Sequence, residues 1–343
     1  MHKRYIWPAV IILTGAFIFT GCFFSRLTKH EPYRETRFFM DTVVEIVAYG
    51  PEAQPAVQAA FDEFQRLEEL SSHFKPDSQV TKLNQLAGST KLVVDSSLLE
   101  MMILAKEASE KTGGAFDVSV GPLTDLWGIG HKGEYIPDQT EIDQVMPLVG
   151  YRMIAIDEAA HTVFLTKPGM RIDLGGIAKG YAVNRAAGIL EAAHVESAMI
   201  NAGGDIQVIG KKPDGQPWRI GVQHPRESDG VIAKITLAEW DMAETSGDYQ
   251  RYFIKNDVRY AHILDPATGR QPREVASVTL LYDHKRTGFI PSSAFQVLGV
   301  EAGLAVLQKF PGVEAIFVTV DGRIVTTPGL DGKVEMTTGK SEQ

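Results

Sequence analysis

The 343-residue sequence predicts an α+β fold, a single domain in which helices flank a mostly antiparallel sheet. Strand-forming segments cluster in the second half of the chain, and they do not alternate strictly with helical segments as they would in a parallel sheet. Pro213-Asp214-Gly215 and Asp321-Gly322 are typical of the tight turns that join antiparallel strands. No Ser/Gly-rich linker, low-complexity run or internal repeat divides the body of the chain, which favours one domain over two.

The order of the elements follows from the spacing of the apolar residues. Residues 40–49 are rich in β-branched side chains that partly alternate with polar ones, which predicts a strand. Residues 55–70 carry Phe61, Phe64 and Leu67 at helical spacing. The same reasoning predicts further helices at 96–112, 179–193 and 293–310, and further strands at 153–156, 163–166, 198–201, 206–209, 218–222, 231–237, 275–281 and 315–320.

The N-terminus resembles the signal of a bacterial lipoprotein. Lys3 and Arg4 precede a mostly apolar run over residues 5–20, which is shorter than the ~20 residues needed to span a bilayer. Thr20-Gly21-Cys22 then resembles a lipobox, where a diacylglyceryl group joins the cysteine thiol and the peptide is cut before it; Phe19 departs from the usual leucine. The alternative is an uncleaved anchor helix, which the shortness of the run disfavours.

Cys22 is the only cysteine in the sequence. An intrachain disulfide, a cysteine zinc cluster and thiol catalysis elsewhere are therefore excluded. We expect a signal peptide over 1–21, a lipidated Cys22 with a tether over 22–36, a folded domain over 37–335 and a tail over 336–343. The mature protein would be anchored to the cell membrane by lipid and would face the periplasm or the cell exterior.

The formal net charge of −9 argues against nucleic acid as a partner, because binding to phosphate backbones depends on a basic face. An acidic protein that binds an anionic ligand needs local positive charge or a metal ion.

The segment Arg171–Asn184, RIDLGGIAKGYAVN, has the pattern of a phosphate-binding turn. Gly175 and Gly176 lack a Cβ and tolerate positive φ, so a ligand can approach the backbone where a helix begins with unpaired N–H groups. Lys179 adds positive charge, whereas Asp173 is suited to a hydrogen bond, a helix cap or a metal. The pattern is neither the Rossmann nor the Walker motif. A plain strand-to-helix turn with a surface lysine is the alternative.

Five more segments combine glycine or proline with an acid, a hydroxyl or an aromatic side chain at points where the apolar pattern breaks. They are 71–78, 112–117 with its continuation 121–128, 201–205, 245–249 and 262–266. One such segment is compatible with an ordinary turn, but six along one chain predict a shared site.

These motifs, in this order, resemble the ApbE family of FAD:protein FMN transferases. The resemblance runs from about Arg37 to Val325 and implies an ApbE-like, T-fold-like domain. It rests on FFMDTVVEI, SSHFKPDSQVTKLN, TGGAFDVSVGPLTDLWGIG, RIDLGGIAKGYAV, INAGGDIQVIG, TSGDYQRYF and YAHILDPATGR.

The resemblance implies a reaction and its partners. Members of the family use Mg²⁺ to cleave the pyrophosphate of FAD and transfer FMN to a threonine hydroxyl of an acceptor protein, releasing AMP. The acceptors carry a short motif around that threonine and commonly belong to membrane redox complexes. Such a reaction depends on positioning the hydroxyl and on neutralising charge at the pyrophosphate.

The resemblance also implies which residues bind FAD. Phe74 would stack on the isoalloxazine ring, with a buried core phenylalanine as the alternative, and Met40 in the first strand would contact the flavin. Asp173 would accept a hydrogen bond from FAD. The other implied contacts are Ala115, Phe116 and Asp117, which form a loop along the nucleotide, Lys179 after the glycine turn, and a backbone contact at Ser277 on a late strand.

The implied metal site is incomplete. Gly176 stands where the family offers a main-chain oxygen to Mg²⁺, and Ser293 keeps a hydroxyl at a second ligand position. Phe289 stands where the family has an aspartate ligand, and a phenyl ring cannot bind Mg²⁺. Three explanations are open: Gly176, Ser293, water and the pyrophosphate suffice; Asp283 or another acid substitutes; or the chain binds FAD without transferring it.

His262 resembles the family histidine that accepts the proton of the acceptor threonine, since imidazole is suited to activating a weak hydroxyl nucleophile. Asp265 would either orient its ring or cap a turn, and a purely structural histidine is the alternative. Two other functions fit the same motifs: a lipid-anchored protein that binds FAD without transferring it, and an FAD pyrophosphatase that releases FMN and AMP.

Overall fold

The computed structural model describes residues 31–337. The expected signal peptide and the lipidation site at Cys22 lie outside this range, as does most of the expected tail. The described residues from Pro32 onward form one compact unit. None of the helices within the described range combines the length and the apolar character needed to cross a membrane.

Residues 31–337 contain the following strands and helices. The strands are β1 Tyr33–Phe39, β2 Thr42–Tyr49, β3 Leu92–Val93, β4 Ile154–Asp157, β5 Thr162–Leu165, β6 Ser197–Ala202, β7 Asp205–Ile209, β8 Trp218–Gln223, β9 Val231–Leu237, β10 Met242–Gly247, β11 Tyr252–Lys255, β12 Val258–Ala261, β13 Val275–Tyr282, β14 Glu314–Thr319, β15 Ile324–Thr326 and β16 Val334–Met336. The helices are α1 Ala53–Ser71, α2 Gln79–Gln85, α3 Ser96–Lys111, α4 Gly121–Trp127, α5 Gln139–Val145, α6 Ala178–Ala192, α7 His284–Thr287 and α8 Ser292–Leu307.

An eight-stranded sheet in the order β1-β2-β6-β7-β10-β13-β14-β15 forms the centre of the described domain. Every neighbouring pair in it is antiparallel. Two three-stranded sheets, β3-β5-β4 and β16-β9-β8, and the β11-β12 hairpin complete the strands. The predicted fold class, α+β with a mostly antiparallel sheet, is confirmed.

The central sheet is covered on both faces, which explains why β13 is buried along its whole length. Val278 and Leu280 pack with α1, α3, α6 and α8 in the main core, whereas Leu281 faces the smaller core beneath β8 and β9. Alternate residues of one strand therefore serve two cores. Such a strand shows a continuous apolar run in the sequence rather than an alternating pattern.

The structure corrects the start of the domain. Residues 40–49 were predicted as one strand, but Met40 and Asp41 form a tight turn with φ values of 51° and 58°, and β2 begins at Thr42. A hairpin turn of two residues with positive φ matches the twist of the strands that it joins. Its partner β1 begins at Tyr33, inside the expected tether. Charged side chains on this half-exposed edge strand hide its apolar alternation.

Candidate active site

A cleft of about 850 Å³ opens above one end of the central sheet strands and receives all six polar segments. Ten of the eleven predicted site residues line it: Met40, Phe74, Ala115, Phe116, Asp117, Asp173, Gly176, Lys179, His262 and Ser293. Its size lies within the range of sites for small molecules and cofactors. The prediction that these segments share one site is therefore consistent with the fold.

Ser277 does not line the cleft. It lies within β13, 1% exposed, where its neighbours across the sheet are Gly247 of β10 and Val318 of β14. A residue in the middle of a sheet has partners on both sides, so its backbone is not available to a ligand. The predicted backbone contact at Ser277 has no support in the structure.

Three aromatic rings form what we call the aromatic rim of the cleft: His73, Phe74 and His131. The centroid of the Phe74 ring lies 3.9 Å from that of His73 and 4.5 Å from that of His131. Phe74 is 55% exposed, which excludes the alternative of a buried core position. An exposed phenyl ring on the wall of a cleft is suited to stacking on a flat, apolar ligand.

The loop that contains Ala115 and Phe116 is held in place by Asp117. One carboxylate oxygen of Asp117 accepts hydrogen bonds from the backbone N–H of Ser119 at 2.7 Å and from its hydroxyl at 2.6 Å, and the other accepts one from the N–H of Tyr151 at 2.7 Å. Burial raises the pKa of Asp117, while these bonds oppose the rise. The side chain thus organises the loop.

The glycine turn before α6 is built differently from the prediction. Neither Gly175 nor Gly176 has a positive φ. A Cβ on Gly176 would lie 2.9 Å from Cε2 of Phe116, so this glycine is required for space. The carboxylate of Asp173 accepts a hydrogen bond from the N–H of Gly175 at 2.8 Å, which makes Asp173 the cap of the turn.

Lys179 is not a free cation. Its ammonium lies 2.6 Å from Oδ2 of Asp205, whose side chain is only 6% exposed. Glu244, 5% exposed in β10, also lines the cleft here, and we call Lys179, Asp205 and Glu244 the acidic corner. Burial first, and then the charge of Asp205, raise the pKa of Glu244 to about 8.

The start of α8 closes the acidic corner. Oε1 of Glu244 accepts hydrogen bonds from the backbone N–H and the hydroxyl of Ser292, both at 2.9 Å. The next residue, Ser293, places its Oγ 3.8 Å from where a Cβ on Gly176 would lie. The structure therefore brings together the two residues that were predicted as metal ligands.

His262 lies on the wall of the cleft with its backbone N–H donating to the carbonyl of Arg251 at 3.0 Å. Its Nδ1 is buried and has no hydrogen-bond partner within residues 31–337. Burial, followed by the charges of Arg251 and Lys179, lowers the pKa of His262 to about 3. The ring is therefore neutral at pH 7.

Asp265 caps a turn rather than orienting His262. Its carboxylate accepts hydrogen bonds from the N–H of Ala267 at 2.9 Å and from the hydroxyl of Thr268 at 2.8 Å. Of the two roles that the sequence left open, the structure supports the second.

The match to a family model agrees with this geometry. The model of the ApbE family matches residues 40–317, most of the chain. The chain belongs to the ApbE family. All the residues that line the cleft lie within the matched range.

Named relatives span nearly the same length as this ApbE family member. It is 35% identical to the FAD:protein FMN transferase of Klebsiella pneumoniae over 301 residues, 87% of this chain and 93% of the relative. It is 31% identical to the enzyme of the same name from Treponema pallidum over 322 residues, 89% of each chain. The ApbE protein of Thermotoga maritima has a similar structure, with a TM-score of 0.80 and 33% identity over 88% of this chain and 99% of that one. The apo form of the flavinyl transferase ApbE of Pseudomonas stutzeri has a TM-score of 0.78 and 28% identity over 90% of this chain and 98% of that one.

At position 289, where the resemblance leads us to expect an acid, the structure has an aromatic contact. The ring of Phe289 meets that of Phe116 edge-on, with centroids 5.9 Å apart. Asp283, one of the proposed substitutes, does not line the cleft; it clusters with Asp241 and His284 beyond the end of β13.

Glu244 was missed by the sequence reasoning. The available signal was a carboxylate directly before Thr245-Ser246-Gly247 in a strand of otherwise small and apolar residues.

Proposed function

We propose that this chain transfers FMN from FAD to a threonine hydroxyl of an acceptor protein and releases AMP. The observation that carries the proposal is that His262 lines the same cleft as the exposed ring of Phe74 and the glycine turn. This reaction needs three parts: a base for the acceptor hydroxyl, a stacking surface for the flavin and a backbone segment that the pyrophosphate can approach. The names of the relatives support the same reaction.

In the proposed step the acceptor hydroxyl attacks the phosphorus on the FMN side of the pyrophosphate. The bond from that phosphorus to the bridging oxygen breaks, and AMP leaves with that oxygen and the electron pair of the bond. Neutral His262 takes the proton of the hydroxyl on a ring nitrogen. The negative charge of bound pyrophosphate would raise the pKa of His262 from about 3 and make the ring a stronger base than it is in the empty cleft.

We also propose that the reaction needs Mg²⁺. The main-chain oxygen of Gly176 and the hydroxyl of Ser293 are hard oxygen donors from two residues that lie close together, which suits this ion. When bound, Mg²⁺ would neutralise charge on the pyrophosphate oxygens, with water and the pyrophosphate filling its remaining positions.

A lipid anchor at Cys22 would hold the enzyme at the cell membrane, facing the periplasm or the cell exterior, close to acceptors in membrane redox complexes. The support is the lipobox-like sequence alone. Measuring the intact mass of the protein extracted from membranes tests this proposal. We expect the mass of a chain that is cleaved before Cys22 and carries a diacylglyceryl adduct.

One assay tests the transfer reaction. The purified chain is incubated with FAD, Mg²⁺ and an acceptor that carries the threonine motif, and both AMP release and acceptor mass are followed. We expect AMP in step with a mass gain of one FMN on the acceptor. AMP without labelled acceptor would instead support the pyrophosphatase, and bound FAD with neither product would support a flavin-binding protein.

A further inference from the structure

The acidic corner contains one more buried carboxylate than it has cations. Lys179 pairs with Asp205 at 2.6 Å, and Glu244 forms no salt bridge within the described part of the chain. Its hydrogen-bond donors are neutral: the N–H and hydroxyl of Ser292, and the hydroxyl of Tyr282 at 3.2 Å. A buried carboxylate that has no cation beside it can be matched by a bound cation.

Glu244 retains room for another ligand. A carboxylate has about four lone-pair sites, and the three hydrogen bonds leave one of them open. Two of the bonds fall on Oε1 and only the longer one on Oε2. Oε2 is therefore the oxygen that can accept a further partner from the cleft.

The carboxylate of Glu244 also lies close to the side chain of Phe289, which stands where the family has an aspartate ligand. A Cβ built on Gly180 would lie 3.9 Å from Oε2 of Glu244 and 3.7 Å from Cε2 of Phe289, so both side chains end beside the same point in the first turn of α6. Gly176 lies just before that turn, and Ser293 follows the serine that binds Glu244. The carboxylate comes from the strand beneath the two helices instead of from the loop before α8.

We propose that Glu244 is the carboxylate ligand of the divalent cation in this chain, together with the main-chain oxygen of Gly176 and the hydroxyl of Ser293. The inference rests on the proposed function for the identity of the cation. A hard divalent ion favours a carboxylate, a carbonyl and a hydroxyl as ligands, and it would supply the positive charge that Glu244 lacks. The aromatic pair of Phe289 and Phe116 then packs beside the site.

The test measures binding of Mn²⁺, as a spectroscopic substitute for Mg²⁺, to the purified full-length chain by electron paramagnetic resonance, without FAD. We expect Glu244→Gln to weaken Mn²⁺ binding by about tenfold or more, because the ligand loses its charge. Adding Phe289→Asp to Glu244→Gln should restore much of the affinity. The matched control is Asp125→Asn, another carboxylate of the cleft, whose charge is already paired with Arg171 at 2.6 Å.

Unchanged Mn²⁺ affinity in Glu244→Gln overturns the inference, as does an equal loss in Asp125→Asn. Thermal unfolding checks that the variant is folded; if it is not, Glu244→Asp replaces it, and a weaker affinity is expected because the carboxylate is one methylene shorter. FMN transfer is measured separately. If Glu244→Gln loses Mn²⁺ binding but the parent chain transfers no FMN, the inference is supported and the proposed function is contradicted. If the parent chain transfers FMN but Glu244→Gln binds Mn²⁺ as the parent does, the proposed function is supported and the inference is contradicted.

Discussion

The aromatic rim and the acidic corner share one cleft but differ in exposure and in charge. At the rim the Phe74 ring is 55% exposed between two histidine rings, and it can be removed without opening the core. At the corner Asp205 and Glu244 are buried and depend on hydrogen bonds and one lysine. The rim can therefore contribute affinity for a flat ligand at little cost to folding, whereas the corner holds charges whose loss affects both chemistry and stability.

The largest expected effect comes from His262, which lies next to the acidic corner. His262→Ala should lower the rate of FMN transfer by about 10²- to 10⁴-fold, the usual contribution of a general base. The affinity for FAD should change by less than about threefold, because the aromatic rim is untouched. Single-turnover transfer and a fluorescence titration with FAD measure the two quantities. A comparable loss in the transfer rate and in the affinity for FAD would mean that His262 mainly binds the flavin. The distinction between binding at the aromatic rim and chemistry near the acidic corner would then be wrong.

The same histidine should make stability depend on pH. The pKa of His262 is about 3 in the folded chain against an ordinary 6.5, so as the pH falls below 6.5 the unfolded chain takes up a proton that the folded chain does not. The stability that the neutral ring provides is present above pH 6.5 and is lost as the pH falls toward 3. Down to about pH 4.5 the loss should reach about 2 kcal/mol.

Denaturant unfolding measured above pH 6.5 and again at about pH 4.5, with His262→Gln as the matched variant, isolates this effect. The variant should lose less stability than the parent on acidification, by about that amount. Phe74→Ala should keep the full pH dependence of the parent. Identical losses in the parent and in His262→Gln would show that other groups account for the acid sensitivity.

The sequence was sufficient where one segment alone determines the structure. The helices α1, α3, α6 and α8 were predicted within a few residues, and the apolar residues of α1 recur at regular helical spacing. The six polar segments identified the cleft because each breaks such a pattern. The order of the strands in the sheet and the edge strand β1 were beyond this reasoning, since pairing depends on distant segments.

The errors in the site have the same cause. Gly176 is a glycine because Phe116, 60 positions away, leaves no space for a Cβ. Lys179 was expected to face an anion, but Asp205 at the start of β7 pairs with it. An acid within a strand is ordinarily expected to face solvent, and only the packing of α8 over β10 buries Glu244.

The smallest expected effect is at the aromatic rim, where Phe74→Ala should weaken FAD binding by about fivefold to tenfold, or ~1 kcal/mol, through the loss of stacking. The free energy of unfolding should change by less than about 0.5 kcal/mol, because more than half of this side chain is already in solvent. Phe38→Ala is the matched control: Phe38 is 67% exposed on β1 and does not line the cleft, so its removal should leave FAD binding unchanged. If both variants bind FAD as the parent does, the flavin does not stack on Phe74, and the cleft depends on its buried residues for affinity as well as for chemistry.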